Sequence, residues 1–91
     1  MVDVKSIGIL ETRGFTALIS GADASLKAAN VELVEWRQVG SGIVSFIIEG
    51  EVAAVRSSIE AARAAATAVG EVISDIVIPR PVDELSSTYN Q

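Results

Sequence analysis

Apolar and polar positions along this chain change rhythm five times, and the changes divide it into six segments. Val4 to Leu10 carries Val4, Ile7, Ile9 and Leu10 and stops at Glu11-Thr12-Arg13-Gly14, where a polar cluster and a glycine mark a change of element; this predicts a strand. From Phe15 the apolar positions are Phe15, Leu18, Ile19, Ala22, Leu26 and Ala29, a stripe of 3.6-residue period, while Thr16, Ser20, Asp23 and Lys27 fall on another face. The spacing predicts an amphipathic helix ending near Asn30. Leu33 to Val39 and Ile43 to Glu49 are rich in β-branched and aromatic residues, and Gly40-Ser41-Gly42 between them predicts an antiparallel hairpin.

Glu51 to Val69 contains eight alanines and places Val52, Val55, Ile59, Ala62, Ala66 and Val69 on one stripe, which predicts a second helix closed by Gly70. Ala53, Ala54, Ala61, Ala64, Ala65 and Ala68 fill the remaining arc, wide enough for close approach by a second neighbour. Glu71 to Ile78 predicts a last strand, stopped by Pro79-Arg80-Pro81 because proline donates nothing to a sheet ladder. The order β-α-β-β-α-β is that of an α+β, ferredoxin-like fold: an antiparallel sheet with two main helices on one face. The expected domain covers residues 1–82. A polar tail, 83–91, follows, where Asp83 is placed to cap a short C-terminal helix.

Composition narrows the function. A chain of 91 residues has room for one small domain, and an apolar share of 49% is more than so small a domain hides by itself, which points to self-association. The absence of cysteine and histidine removes thiolate nucleophiles, disulfides, Cys-based zinc sites and the commonest acid-base group. No metal site, cofactor or catalytic set is therefore expected. A net charge of −5 argues against nucleic acid as a partner. The longest uncharged stretch, Gln38 to Ile48, is half of what a membrane helix needs, and the start lacks the pattern of a secretory signal, so a cytosolic, membrane-independent protein is expected.

Candidate chemistry is sparse. Gly40-Ser41-Gly42 lacks the third glycine of a dinucleotide fingerprint and leads into a strand, so on its residues alone it is an ordinary hairpin turn. Glu11 and Arg13 read as polar residues at a strand end, and Asp23 with Lys27 as a solvated i, i+4 pair.

Five blocks taken together carry more. Gly8-Ile9-Leu10-Glu11-Thr12-Arg13-Gly14, Asp23-Ala24-Ser25-Leu26-Lys27-Ala28-Ala29-Asn30, Val39-Gly40-Ser41-Gly42, Gly50-Glu51-Val52-Ala53-Ala54-Val55 and Val77-Ile78-Pro79-Arg80-Pro81 resemble, in order and spacing, the single-domain hexameric shell proteins of bacterial microcompartments. The similarity is greatest to members from propanediol- and ethanolamine-type compartments. It implies a structural, non-enzymatic subunit whose cyclic homohexamers tile edge to edge in a shell within the bacterial cytoplasm. Neighbouring hexamers, other shell proteins and targeting segments of cargo enzymes are the partners it implies. Lys27, Asn30 and Arg80 would lie at the hexamer rim and serve assembly. Gly40, Ser41 and Gly42 would line a central pore, where hydroxyls and amides favour small polar metabolites.

The chain departs from the family at two places. Gln38 stands where lysine is frequent, with Arg37 beside it, and Val82 follows Pro79-Arg80-Pro81 where a histidine is frequent. The topology alone also suits a regulatory small-molecule-binding module. An acylphosphatase-like hydrolase is less well matched, because its arginine-bearing phosphate loop after the first strand is not evident here.

Overall fold

Alternating runs become strands and the 3.6-residue runs become helices in the computed structural model, which describes residues 5–80. In chain order the elements are β1 (Ser6–Arg13), α1 (Phe15–Ala28), β2 (Glu32–Gly40), β3 (Ile43–Gly50), α2 (Val52–Val69) and β4 (Glu71–Ile78). The expected β-α-β-β-α-β order and α+β class hold. β1 runs three residues beyond the expected end at Leu10, because Glu11, Thr12 and Arg13 keep their partners on β3 and β4. The expected cap at Asp83, the short C-terminal helix and the boundary at residue 82 lie outside the described residues.

The four strands form one antiparallel sheet in the order β2-β3-β1-β4. Strand alternation sends Gly8, Leu10 and Thr12 of β1, with Val44, Phe46 and Ile48 of β3, to the face that the helices cover, where all six are buried. Gly8 brings β1 close under α2: a Cβ there would lie 2.6 Å from Cγ1 of Ile59 and 2.8 Å from Cγ1 of Val55. Gly21 does the same for α1, where a Cβ would come within 2.9 Å of Leu10 Cδ2. Phe46 sits at the centre of this core and meets Trp36 edge-on, ring centroids 6.1 Å apart.

α1 does not bury all of its apolar stripe. Leu18 and Ala22 are inside, but Phe15, Ile19 and Leu26 are exposed, and Ala17, Gly21 and Ser25 are buried in their place. The reason is the neighbour. α1 and α2 pack side by side, and small residues line the seam: Ser25 meets Ser58, and a Cβ on Gly21 would lie 3.2 Å from Ala62 O. The Ser58 hydroxyl donates to the Ser25 carbonyl at 2.9 Å, satisfying one of the four carbonyls that a helix end leaves free. On α2 the expected stripe is buried at Val55, Ile59, Ala62 and Ala66, whereas its ends, Val52 and Val69, are exposed. Gly70 closes α2, its N–H donating to Ala66 O, in extended backbone. Its lack of a side chain matters because a Cβ would sit 2.8 Å from that of Ala17.

Both edge strands are bulged. On β2 the register skips Val34 and Val39, and on β4 it skips Ile73. All three skipped residues are exposed aliphatics.

Candidate functional site

The residues singled out by sequence separate to opposite ends of the sheet. Gly40, Ser41 and Gly42 form the tip between β2 and β3, and all three are exposed. Gly42 has φ +74°, a left-handed backbone that a side chain would strain, while a Cβ at Gly40 or Gly42 would meet nothing within 4 Å. The tip is tied down: Gly14 N–H, at the entry to α1, donates to Gly42 O at 2.7 Å. Thr12, two residues earlier, donates its hydroxyl to Gly14 O at 2.9 Å, so the junction of β1 and α1 and the tip of the hairpin form one hydrogen-bonded unit. A polar, sterically open loop on a fixed base results.

The charged groups behind this tip are paired. Arg13, opposite Ile43 on β3, donates from Nε to Glu71 at 3.0 Å. Arg37 donates from Nε and Nη2 to the same oxygen of Glu35, at 3.0 and 2.8 Å. Glu35 and Arg37 share the sheet face away from the helices, opposite Ile47 and Ser45.

α1 starts beside the tip and carries the chain to the other end. Its 14 residues span about 21 Å at 1.5 Å per residue. Lys27 stands in its last turn, exposed, with Nζ 3.0 Å from Asp23, the i, i+4 pair expected from spacing. Asn30 follows, exposed, and its backbone carbonyl would be 3.2 Å from a Cβ on Gly50, the last residue of β3. Gly50 pairs with Ser6, and the Ser6 hydroxyl accepts from Arg80 N–H at 3.3 Å. Lys27, Asn30 and Arg80, far apart in sequence, thus share the end opposite the Gly40-Ser41-Gly42 tip, about 26 Å away along an eight-residue strand. Beside Asn30 a cleft of about 690 Å³ is lined by Lys5, Glu32, Glu49 and Glu51, with Lys5 Nζ 3.1 Å from Glu32.

Glu11 and Arg13 are held by different partners. Glu11 accepts from the Ser74 hydroxyl at 2.9 Å and Arg13 is held by Glu71. Among the described residues no three His, Cys, Asp or Glu side chains are grouped to hold a metal ion, and no helix is long and apolar enough to cross a membrane. Sequence reasoning noted Arg37 without Glu35, although two residues apart on a strand is a same-face spacing.

Known proteins resemble this chain along most of its length. The model of the BMC domain matches residues 6–81. The bacterial microcompartment shell protein PduA of Salmonella typhimurium is 49% identical over 77 residues, covering 85% of this chain and 82% of its own length. The shell protein EutM of the same species is 42% identical over 86 residues, covering 94% of this chain and 90% of its own. The carboxysome assembly protein CcmO of Synechococcus elongatus is 45% identical over 83 residues, 91% of this chain, but the match spans only 30% of that longer protein. A crystal structure of a microcompartment protein from Desulfitobacterium hafniense superposes with a TM-score of 0.78 at 36% identity, covering 91% of this chain and 45% of that one.

Proposed function

Because the chain belongs to the BMC-domain family, whose members include microcompartment shell proteins, we propose that it is a structural, non-enzymatic shell subunit working as a cyclic homohexamer in the bacterial cytoplasm. In this reading the Gly40-Ser41-Gly42 tips converge on the symmetry axis around a narrow opening for small polar metabolites. Lys27, Asn30 and Arg80 form the outer edge that meets neighbouring hexamers and other shell proteins. Targeting segments of cargo enzymes are further partners in this reading.

The observation that carries it is the separation of the two sets of residues. One end of the domain presents a polar loop open to approach and anchored through Gly14, as subunits meeting at an axis require. The other presents an exposed lysine, an exposed asparagine and an exposed arginine. The exposed Phe15, Ile19 and Leu26 of α1 supply apolar area for lateral neighbours, and cyclic closure consumes such area without leaving a free end. A regulatory ligand-binding module has no specific observation in its favour.

Native mass spectrometry and electron microscopy of the purified protein test the proposal together. A sixfold mass with hexagonal sheets or tubes is the expected result. A stable monomer or dimer at micromolar concentration would overturn it.

A further inference from the structure

Resting on the pore reading above, we infer that Glu35 neutralises Arg37 behind the loop, so that the opening selects uncharged hydrogen-bonding solutes and Glu35 is the residue that sets this preference. Arg37 lies three residues before Gly40, about 10 Å along β2. That is close to one Debye length at physiological salt, so a bare guanidinium there would be felt at the loop, and symmetry would repeat it around the axis.

The guanidinium is not bare. Two of its nitrogens converge on one oxygen of Glu35, at 3.0 and 2.8 Å, and the field of such a pair falls off faster with distance than that of a lone charge. The backbone holds this pairing in place. Residues 35 and 37 project from the same face of an edge strand, Ser45 opposite Arg37 donates its hydroxyl to the Arg37 carbonyl at 3.5 Å, and Glu11 on β1 is held by Ser74. The second arginine at this end, Arg13, has Glu71 as its partner. Among the described residues, both arginines near the loop have a carboxylate partner. At the loop itself a passing solute meets the hydroxyl of Ser41 and the backbone of two glycines, which exchange hydrogen bonds with alcohols, aldehydes and amides and give an anion no net charge to favour it.

The test is influx into intact shells built with the full chain, using glycerol as the uncharged probe and lactate as an anion of similar size. Wild-type shells are expected to admit glycerol faster than lactate. Glu35→Gln should raise lactate influx on the order of tenfold, through the positive ring it uncovers, and leave glycerol within about twofold. Arg37→Gln should do the reverse, lowering lactate below wild type, so a failure of one variant to assemble leaves the other decisive. Glu60→Gln on α2, the same change in net charge far from the loop, should alter neither. An unchanged lactate-to-glycerol ratio in both variants would overturn the inference while leaving a pore in place. Wild-type shells closed to both probes would overturn the pore reading and this inference with it.

Discussion

Removing the Lys27 side chain should separate two energies that differ by an order of magnitude. Within the subunit Lys27 pairs with Asp23 at 3.0 Å, with side chains 76% and 63% exposed, so Lys27→Ala should cost the fold only about 0.5 kcal/mol. In a domain of this size that lowers Tm by about 2 to 4 °C. At the proposed edge the arithmetic is different. A contact between two hexamers across a twofold axis contains each residue twice. If the stem of each lysine buries two methylenes at about 0.8 kcal/mol each, less about 1 kcal/mol for ordering a long side chain, an edge loses about 1 to 2 kcal/mol. A hexamer inside a sheet shares six edges and so owns three, for a loss of about 3 to 6 kcal/mol. At about 1.4 kcal/mol per factor of ten, the concentration needed for sheets should rise roughly a hundredfold to ten-thousandfold. Sedimentation and electron microscopy across a concentration series measure the sheets, native mass spectrometry the hexamer and a thermal melt the fold. Sheets forming at the wild-type concentration would refute the edge assignment, and loss of the hexamer along with the sheets would move Lys27 into the interface between subunits.

Ser41→Leu should leave assembly intact, since the residue is exposed at the hairpin tip, yet lower metabolite influx into shells by crowding the axis with side chains that offer no hydrogen bonds; equal influx at equal assembly would defeat the pore assignment. Gly8→Ala should destabilise the fold by about 1 to 3 kcal/mol, a Tm drop of about 5 to 20 °C, because the new Cβ falls 2.6 Å from Ile59 Cγ1 and strand and helix must part; an unchanged melting curve would show that α2 yields freely.

All six elements, their order and the α+β class were legible in the sequence, because the two periods differ sharply and glycine or proline marks most boundaries. The inner face of α1 was not. A stripe through Phe15, Leu18, Ile19, Ala22, Leu26 and Ala29 records where apolar residues are, and an assembling subunit needs them both in its core and on its flank. Three residues that α1 buries are instead small, Ala17, Gly21 and Ser25, and small residues give only a weak signal on a hydrophobicity scale. Gly70 shows the same limit: its position past the helix was readable, but the close approach of Ala17 that excludes a side chain was a tertiary fact. For the candidate site, the blocks around Lys27, Asn30, Gly40, Ser41, Gly42 and Arg80, and their division between rim and pore, were readable only as a resemblance, whereas strand register places them at opposite ends of the sheet directly. The neutralisation of Arg37 was half visible, since Glu35 is two positions away on a strand, but nothing short of coordinates distinguishes that partner from Ser45 or solvent.

The bulges at Val34, Val39 and Ile73 bear on what kind of polymer this protein can become. An unbroken edge strand presents a regular row of amide and carbonyl groups, and two such rows on opposite edges of one sheet invite copies to join strand to strand into fibrils. Here each edge is interrupted, twice on β2 and once on β4, and at every interruption the chain offers an aliphatic side chain outward in place of ladder-ready backbone. Copies are thereby steered to meet through side chains, whose geometry is specific and permits a closed ring, and away from an endless backbone ladder. A subunit proposed to tile in two dimensions is protected, by three extra residues, from growing in one.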